Sequence, residues 1–368
     1  MSRPVRWAAA LLALTLPLTP LAHAATSASP DAGSFTEHTY PAAGTSGARD
    51  YWLYLPPSRS RAPRPLVVFL HGCNVTAEQS AAITRFNDLA AKEHFVVVYP
   101  QQTITANSSA PLADGNGIGC WNWFLPDNQQ RDVGEAGAIA GITKYVAQTQ
   151  RIDPRRIFVD GISAGADMAV ILGATYPDLY ASVAALAGCA FRTCGDATGA
   201  LTHQAMGTHA RVVPMLVENG TADTLNNMGM ASGLVSSWLG ADDLADDGSL
   251  NGSIPRQPAS QQSYDVNQTP QPGSGDACVH NNTLTCPGGV VGFQGGYPYT
   301  VASYADAKGC DVMDFWLIHG MEHAYPDAPG DGPYTDPLGP DITTAAWRFF
   351  ASHPMGGCHN VTTSEVPR

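Results

Sequence analysis

Short apolar runs that alternate with helical stretches constrain the fold of this chain more than any other feature. The runs at Pro65–Leu70 and Phe95–Tyr99 are almost wholly apolar, which is typical of strands buried on both faces of a sheet. Helical stretches are predicted over Ala77–His94 and Ala164–Tyr176. Strands that alternate with helices predict an α/β fold, with a mostly parallel central sheet flanked by helices.

The remaining periodic segments extend this pattern. A helix is predicted from Asp132, with Asp132 as N-cap and Glu135 three residues further on, to about Gln150. A closing helix is predicted over Thr343–Ser352. Further strands are predicted at Tyr51–Leu55, Arg156–Asp160, Val212–Val217 and Val312–Ile318.

The first residues have the features of a secretory signal peptide. Arg3 and Arg6 precede the apolar stretch Trp7–Leu21, and Ala22–Ala24 offers small residues for cleavage. A membrane anchor is the alternative, but the apolar stretch is short and is interrupted by prolines. We therefore predict export to the extracellular space or the periplasm. The predicted organisation is a signal peptide over 1–24, a loose N-terminal segment over 25–48 and a single folded domain over 49–368.

The charge of the chain argues against two classes of partner. The formal net charge is −13, and the basic residues form no run. Neither nucleic acid nor a membrane is therefore an expected partner. No segment after the signal is long and apolar enough to span a bilayer. The sequence predicts no oligomeric state.

The chain contains eight cysteines, all after the predicted signal peptide. An even number in an exported chain favours disulfides, and the absence of any Cys-x-x-Cys pair argues against a zinc site. The connectivity stays open. Proximity in sequence favours two local pairs and leaves two longer ones: Cys189–Cys194, Cys278–Cys286, Cys73–Cys120 and Cys310–Cys358.

The pentapeptide Gly-Ile-Ser-Ala-Gly at Gly161–Gly165 lies between a predicted strand and a predicted helix. This is the setting of a nucleophile elbow, in which a sharp turn holds the serine in a strained backbone conformation and requires small neighbours. The following helix directs its N-terminus at the serine and favours negative charge there. Ser163 is therefore predicted as a nucleophile; the alternative is a serine that only caps the helix.

A serine nucleophile needs a histidine base that is oriented by a carboxylate. In α/β-hydrolases the chain order is serine, acid, histidine. Asp223 follows the predicted strand ending at Val217, and His323 follows the one ending at Ile318. An Asx-turn role is the alternative for Asp223. His319 is the competing base, but it stands at the strand end, where a packed histidine is more usual.

The turn Leu70–Asn74 follows a buried strand directly, where such hydrolases carry the oxyanion loop. Two backbone N–H groups must point at the oxygen of the tetrahedral intermediate. Cys73 and Ala164 are the predicted donors, and Gly72 permits close approach. His71 is predicted to brace this loop from a buried position; the alternative for the whole turn is a plain strand end.

Together these blocks resemble the poly(3-hydroxybutyrate) depolymerase-like esterases, a family that also includes feruloyl and acetylxylan esterases. The resemblance implies an α/β-hydrolase fold and gives Ser163, Asp223 and His323 the roles of nucleophile, acid and base. Chemistry on this triad requires no metal and no organic cofactor. The blocks that carry the resemblance are Leu70–Cys73, Cys120–Phe124, Arg131–Glu135, Gly161–Ala166, Asn219–Asp223 and His319–Ala324.

The resemblance has further implications for single residues. It implies a Cys73–Cys120 disulfide that ties the oxyanion loop to the tryptophan block. Trp121 and Trp123 are then predicted to line the substrate cleft, with core packing as the alternative. Glu218 departs from the family, whose members usually have histidine at that position.

The stretch 241–300 is rich in Asp, Gly, Ser, Asn, Gln and Pro and contains Cys278 and Cys286. It is predicted to be a disulfide-stapled lid or rim inserted between acid and base, since loops of this length are usually functional or disordered. An enlarged insertion is similar to that of oxidised polyvinyl alcohol hydrolases. The predicted substrates are polyhydroxyalkanoate-type esters or oligomers. The alternatives are feruloyl or acetylxylan esters, the β-diketones of oxidised polyvinyl alcohol, or non-catalytic binding on a hydrolase scaffold.

Overall fold

The structure is a computed structural model, and it describes residues 33–41, 48–57, 62–104, 115–264, 296–330 and 332–357. The predicted signal peptide lies outside these residues, as do Cys278, Cys286 and Cys358. Within the described ranges, no helix has both the length and the apolar character needed to cross a membrane.

One large sheet organises the molecule. Its strands are β1 (Ser34–Tyr40), β2 (Arg49–Leu55), β3 (Arg64–Leu70), β4 (Val96–Pro100), β5 (Ile152–Gly161), β6 (Val183–Leu186), β7 (Met215–Gly220), β8 (Ser260–Tyr264), β9 (Tyr299–Ala305) and β10 (Asp311–Ile318). They lie in the order β1-β2-β4-β3-β5-β6-β7-β10-β9-β8. The centre from β4 to β10 is parallel, and the pairs at both edges are antiparallel. The predicted α/β-hydrolase architecture is confirmed.

Helices cover both faces of this sheet. They are α1 (Ala77–Thr84), α2 (Phe86–Glu93), α3 (Gly134–Thr149), α4 (Ala164–Thr175), α5 (Ala200–Met206), α6 (Met228–Asp247) and α7 (Ile342–Ser352). Along β3, Leu66 and Val68 pack with α3, α4 and α6 on one face. Val67 and Phe69 pack with α1, α2 and α7 on the other. The apolar runs are therefore strands buried on both faces, as predicted. A short parallel pair, β11 (Tyr325–Pro326) and β12 (Thr335–Asp336), lies beside the sheet.

Two helix predictions are wrong in detail. The stretch from Ala77 to His94 is two helices, because Arg85 between them adopts a left-handed conformation with φ of 54°. Helix α3 begins at Gly134, and its N-cap is Val133 rather than the predicted Asp132. Glu135 is fully buried and faces the interior.

The predicted loose segment 25–48 is wrong for residues 34–40, which form the edge strand β1 along the whole of β2. Most side chains of β1 are exposed, so it lacks the apolar run that reveals a buried strand. The described ends of the predicted insertion 241–300 are also regular. Helix α6 reaches Asp247, and β8 and β9 add an antiparallel hairpin to the sheet edge. The remainder of the predicted lid or rim, residues 265–295, lies outside the described ranges, so a lid there stays a prediction.

Candidate active site

Ser163 lies in the turn between β5 and α4, with φ of 58° and ψ of −127°. A positive φ is strained for a serine, and the turn is held by the Ser163 N–H, which donates to the Leu186 carbonyl at 2.9 Å. A Cβ on Gly165 would lie 2.1 Å from the Leu70 oxygen, and one on Gly161 would lie 2.4 Å from the Gly165 oxygen. Only glycine fits at either position, and the absence of side chains lets α4 begin directly against the end of β3.

The predicted oxyanion loop lies against this turn. A Cβ placed on Gly72 would be 3.4 Å from the Ser163 Cβ, so the loop backbone passes close to the serine. Among the described residues, no acceptor takes a hydrogen bond from the N–H of Cys73 or of Ala164. The two N–H groups named from the sequence are therefore available near Ser163. Their role as oxyanion donors stays a prediction.

Asp223 and His323 are brought together from loops at the same edge of the sheet. His323 Nδ1 lies 2.7 Å from Asp223 Oδ2, and both residues are 4% exposed. Because a carboxylate only accepts, the bond places the proton on Nδ1 and leaves Nε2 as the basic nitrogen. Asp223 Oδ1 accepts two further bonds, from the N–H groups of Leu225 and Asn226, both at 2.8 Å. The Asp223 carboxylate is thus held by its own loop.

His319, the competing candidate for the base, does not pair with Asp223. Its side chain is exposed, and its Nε2 lies 2.9 Å from Thr300 Oγ1 on β9. His323 is therefore the histidine that the fold pairs with Asp223.

Ser163 and His323 line one cavity, which encloses about 580 Å³ including its open mouth. Among the described residues no hydrogen bond joins Ser163 Oγ to His323, and such bonds commonly tighten only when substrate binds. Within the same ranges, no three His, Cys, Asp or Glu side chains are arranged to hold a metal ion. Most of the remaining cavity wall is apolar: Phe69, Val75, Ile83, Ile162, Leu225, Tyr325, Pro333 and Tyr334.

Disulfides join two of the predicted cysteine pairs. Cys73 is bonded to Cys120, which ties the oxyanion loop to the tryptophan block. Cys189 is bonded to Cys194. Cys310 is also disulfide-bonded; its pairing with Cys358 stays a prediction, as does the Cys278–Cys286 pair.

A buried polar network supports the oxyanion loop from behind; we call His71, Gln102, Asn122 and Glu135 the loop network. His71 Nε2 accepts from the Gln102 N–H at 3.0 Å, and Nδ1 lies 2.8 Å from the Gly72 carbonyl. Burial lowers the pKa of His71 to about 4, so this histidine is neutral and donates from Nδ1. The predicted bracing role of His71 agrees with this geometry.

Glu135 closes the network. Its carboxylate accepts from the backbone N–H of Asn122 at 2.7 Å, from the Asn122 side-chain amide at 2.9 Å and from the Gln102 amide. Gln102 also donates to the Cys120 carbonyl at 2.9 Å. Asn122 and Glu135 belong to blocks singled out in the sequence, but their mutual contact was not predicted.

The predicted place of Trp121 in the substrate cleft is wrong. Trp121 is completely buried in the core and its ring lies 5.3 Å from that of His71. The core-packing alternative is therefore correct for this residue. Trp123 is half-buried and packs edge-on against Phe124. It is not among the residues that line the cavity, and its contact with substrate stays a prediction.

A second buried acidic group lies on the other side of the site. Glu218, on β7, is completely buried, and neither carboxyl oxygen has a hydrogen-bond partner among the described residues. Burial, followed by the nearby Asp223 and Asp160, raises the pKa of Glu218 well above its usual value. Burial therefore favours the neutral form of Glu218.

Comparison with known proteins shows that this chain is similar to esterases. The sequence model of a family described as Esterase PHB depolymerase matches residues 49–246. Poly(3-hydroxyalkanoate) depolymerase C of Paucimonas lemoignei is 30% identical over 276 residues, 75% of this chain and 58% of that protein. An acetylxylan esterase of Coprinopsis cinerea is 34% identical over 141 residues, 38% of this chain and 34% of that protein. The chain thus spans less than two thirds of the length of either relative.

A solved structure shares the fold. The acetyl xylan esterase from Aspergillus awamori aligns with a TM-score of 0.57 at 16% sequence identity, and the alignment covers 86% of this chain and 99% of that one. At such low identity the likeness concerns the fold alone.

Proposed function

This chain belongs to the PHB depolymerase family of esterases, and we propose that it is an exported serine hydrolase that cleaves carboxylic esters through an acyl-enzyme. The observation that carries the proposal is the shared cavity of Ser163 and His323, with His323 held 2.7 Å from the buried Asp223. A nucleophile, a base and an orienting acid in this relation are what acyl transfer requires.

In the proposed reaction, Ser163 Oγ attacks the ester carbonyl while His323 Nε2 takes the hydroxyl proton. The carbonyl oxygen becomes an oxyanion that accepts hydrogen bonds from the N–H groups of Cys73 and Ala164. The C–O bond to the alcohol breaks, and the imidazolium returns the proton to the departing oxygen. Water then attacks the acyl-enzyme by the same steps, releases the acid and restores Ser163. Asp223 orients His323 and stabilises its charged form.

The preferred substrate class is an ester of a 3-hydroxyalkanoate, as a small ester or an oligomer. The cavity wall is mostly apolar, and the described residues that line it include no lysine, arginine, aspartate or glutamate, which suits a neutral acyl group with a short alkyl chain. One relative is a poly(3-hydroxyalkanoate) depolymerase by name. Acetylxylan ester cleavage is the second candidate, favoured by the relative from Coprinopsis cinerea, which is an acetylxylan esterase by name.

Export is part of the proposal. The signal-like residues 1–24 support it, and so do the disulfides Cys73–Cys120 and Cys189–Cys194, since disulfides persist in oxidising compartments. N-terminal sequencing of the protein recovered from outside the cytoplasm tests this proposal: a mature chain that begins near residue 25 is expected.

Labelling with a fluorophosphonate probe tests the nucleophile. The wild-type protein should be labelled, Ser163→Ala should not, and Ser163→Ala should lose at least about 10⁴-fold in ester turnover. Ser263→Ala, which changes an exposed serine on β8, serves as the control and should be labelled normally. An unlabelled wild-type protein would support a non-catalytic binding role instead.

A substrate panel then separates the ester classes. Relative kcat/KM values for hydroxybutyrate oligomers, acetylated xylan, methyl ferulate and oxidised polyvinyl alcohol decide between them. We expect the hydroxybutyrate oligomers to be the best substrates. A clear preference for acetylated xylan would replace the first candidate by the second.

A further inference from the structure

One wall of the cavity carries a buried hydroxyl without a partner. Ser80 lies on α1, is 2% exposed and lines the same cavity as Ser163. Among the described residues no hydrogen bond to the Ser80 side chain occurs. Thr84, one turn further along the same wall, differs because its hydroxyl accepts from the Phe86 N–H at 3.4 Å. Because Ser80 lines the cavity and its hydroxyl makes no hydrogen bond among the described residues, that hydroxyl can pair with a ligand that fills the cavity.

The wall that carries Ser80 is fixed relative to His323. The Thr343 hydroxyl donates to the Thr84 carbonyl at the end of α1 and accepts from the Tyr325 hydroxyl, both at 2.7 Å. Tyr325 stands two residues after His323. These bonds connect α1 to the histidine loop through buried groups.

A second tie lies at the surface. The Arg85 guanidinium donates to the Asp327 carbonyl at 2.7 Å and to the Asp327 carboxylate. Arg85 directly follows α1, and Asp327 belongs to the histidine loop. Ser80 and the reacting groups are therefore held in one preorganised arrangement, which is the condition for selective recognition of a substrate group.

We infer that Ser80 is a specificity-determining residue, whose hydroxyl binds an oxygen substituent on the acyl chain while the apolar walls take the alkyl part. A 3-hydroxybutyryl group has this composition: a short alkyl chain with one oxygen near the ester carbonyl. A serine hydroxyl both donates and accepts, so it pairs equally with a free hydroxyl or with the ester oxygen of the next unit in an oligomer. The inference rests on the proposed ester hydrolysis.

The test compares three small esters: ethyl butyrate and the two enantiomers of ethyl 3-hydroxybutyrate. The wild-type protein should prefer one enantiomer over the other and over butyrate, because the fixed Ser80 hydroxyl, the apolar wall and the reacting groups together discriminate the configuration at the carbon that bears the oxygen. In Ser80→Ala, kcat/KM for the preferred enantiomer should fall by about 5- to 30-fold, which is the effect of leaving a buried hydroxyl unpaired. The enantiomer ratio should move towards one, and butyrate turnover should stay within about threefold.

Two further variants identify the cause. Ile83→Val trims the same wall without touching any hydrogen bond, so it should affect all three esters alike. Ser80→Thr keeps the hydroxyl and should keep the enantiomer preference. The inference is overturned if Ser80→Ala leaves the enantiomer ratio unchanged, or if Ser80→Thr loses it as fully as Ser80→Ala. A wild-type protein that turns over none of the esters would instead contradict the proposed function.

Discussion

Two buried polar regions flank Ser163, and they are built in opposite ways. In the loop network, Glu135 meets three N–H donors from Asn122 and Gln102. On the acid side, Glu218 meets none among the described residues. Both carboxyls are buried, and burial raises the pKa of both, but only for Glu135 do hydrogen bonds and the cation of Arg49 counteract the effect.

The difference shows what decides the state of a buried carboxyl. N–H donors stabilise the ionised form, whereas burial without donors stabilises the neutral form. The loop network is therefore a hydrogen-bonded brace that fixes the backbone around Cys73 and Cys120. Glu218 is a neutral filler beneath Asp223, and its protonation avoids a second negative charge next to the acid that holds His323.

The sharpest test separates Asp223 from its neutral neighbour. Asp223→Asn keeps an acceptor for the N–H groups of Leu225 and Asn226, but its amide can donate to His323 and favour the wrong tautomer. We expect kcat for ester hydrolysis to fall by about 10³- to 10⁴-fold. Glu218→Gln copies the neutral carboxyl in shape and should stay within about threefold of wild type. Comparable losses of kcat in both variants would show that Glu218 itself contributes to ester hydrolysis.

The loop network is tested by removing its acceptor. Glu135→Ala leaves the buried amides of Asn122 and Gln102 without their partner, and we expect the free energy of unfolding to fall by about 3 kcal/mol. Urea unfolding followed by tryptophan fluorescence measures the change. Glu135→Gln, which retains one acceptor oxygen, should lose less than the alanine variant. A loss below about 1 kcal/mol in Glu135→Ala would contradict the bracing role.

The smallest effect on activity is expected for Glu218, whose contribution appears as pH dependence of stability. A carboxyl with a raised pKa in the folded state contributes stability that is complete below its unfolded pKa, near 4.5, and is lost as pH rises through the folded pKa. Between the unfolded and the folded pKa of Glu218, the free energy of unfolding of the wild-type protein should therefore fall relative to that of Glu218→Gln by up to about 1.4 kcal/mol per pH unit. Thermal or urea unfolding of both proteins from pH 4 to pH 9 measures this divergence. Parallel curves would mean that Glu218 ionises freely in the folded protein.

Local sequence patterns predicted the parts of the fold that local physics controls. The apolar run Pro65–Leu70 had to be a strand buried on both faces, and it is. Gly161–Gly165 was predicted to be a sharp turn between a strand and a helix, and the structure shows this turn. Gly165 lies so close to the backbone of Leu70 that no side chain fits there. The polar strands at the two edges of the sheet have no apolar pattern from which they could have been predicted. Strand β1 is mostly exposed, and β8, Ser-Gln-Gln-Ser-Tyr, has no apolar periodicity.

Side chains from distant segments were beyond the reach of such patterns. Trp121 and Trp123 stand one residue apart and look equivalent in the sequence, yet the first is in the core and the second is half-buried at its edge. The contacts of Thr343 with Thr84 and of Arg85 with Asp327 join segments more than two hundred residues apart. Only the packed sheet and helices bring such groups within hydrogen-bond distance.

The sequence by itself determined the alternation of the central apolar strands with helices, the turn that carries Ser163, and the identity of the two side chains that meet as Asp223 and His323. These follow from residue types at the ends of parallel strands, which converge on one edge of the sheet. Tertiary structure alone decided the partners of buried groups: three donors for Glu135, none for Glu218 among the described residues, and none for Ser80. Burial and hydrogen bonding act through space, so they depend on which segments the completed fold places side by side.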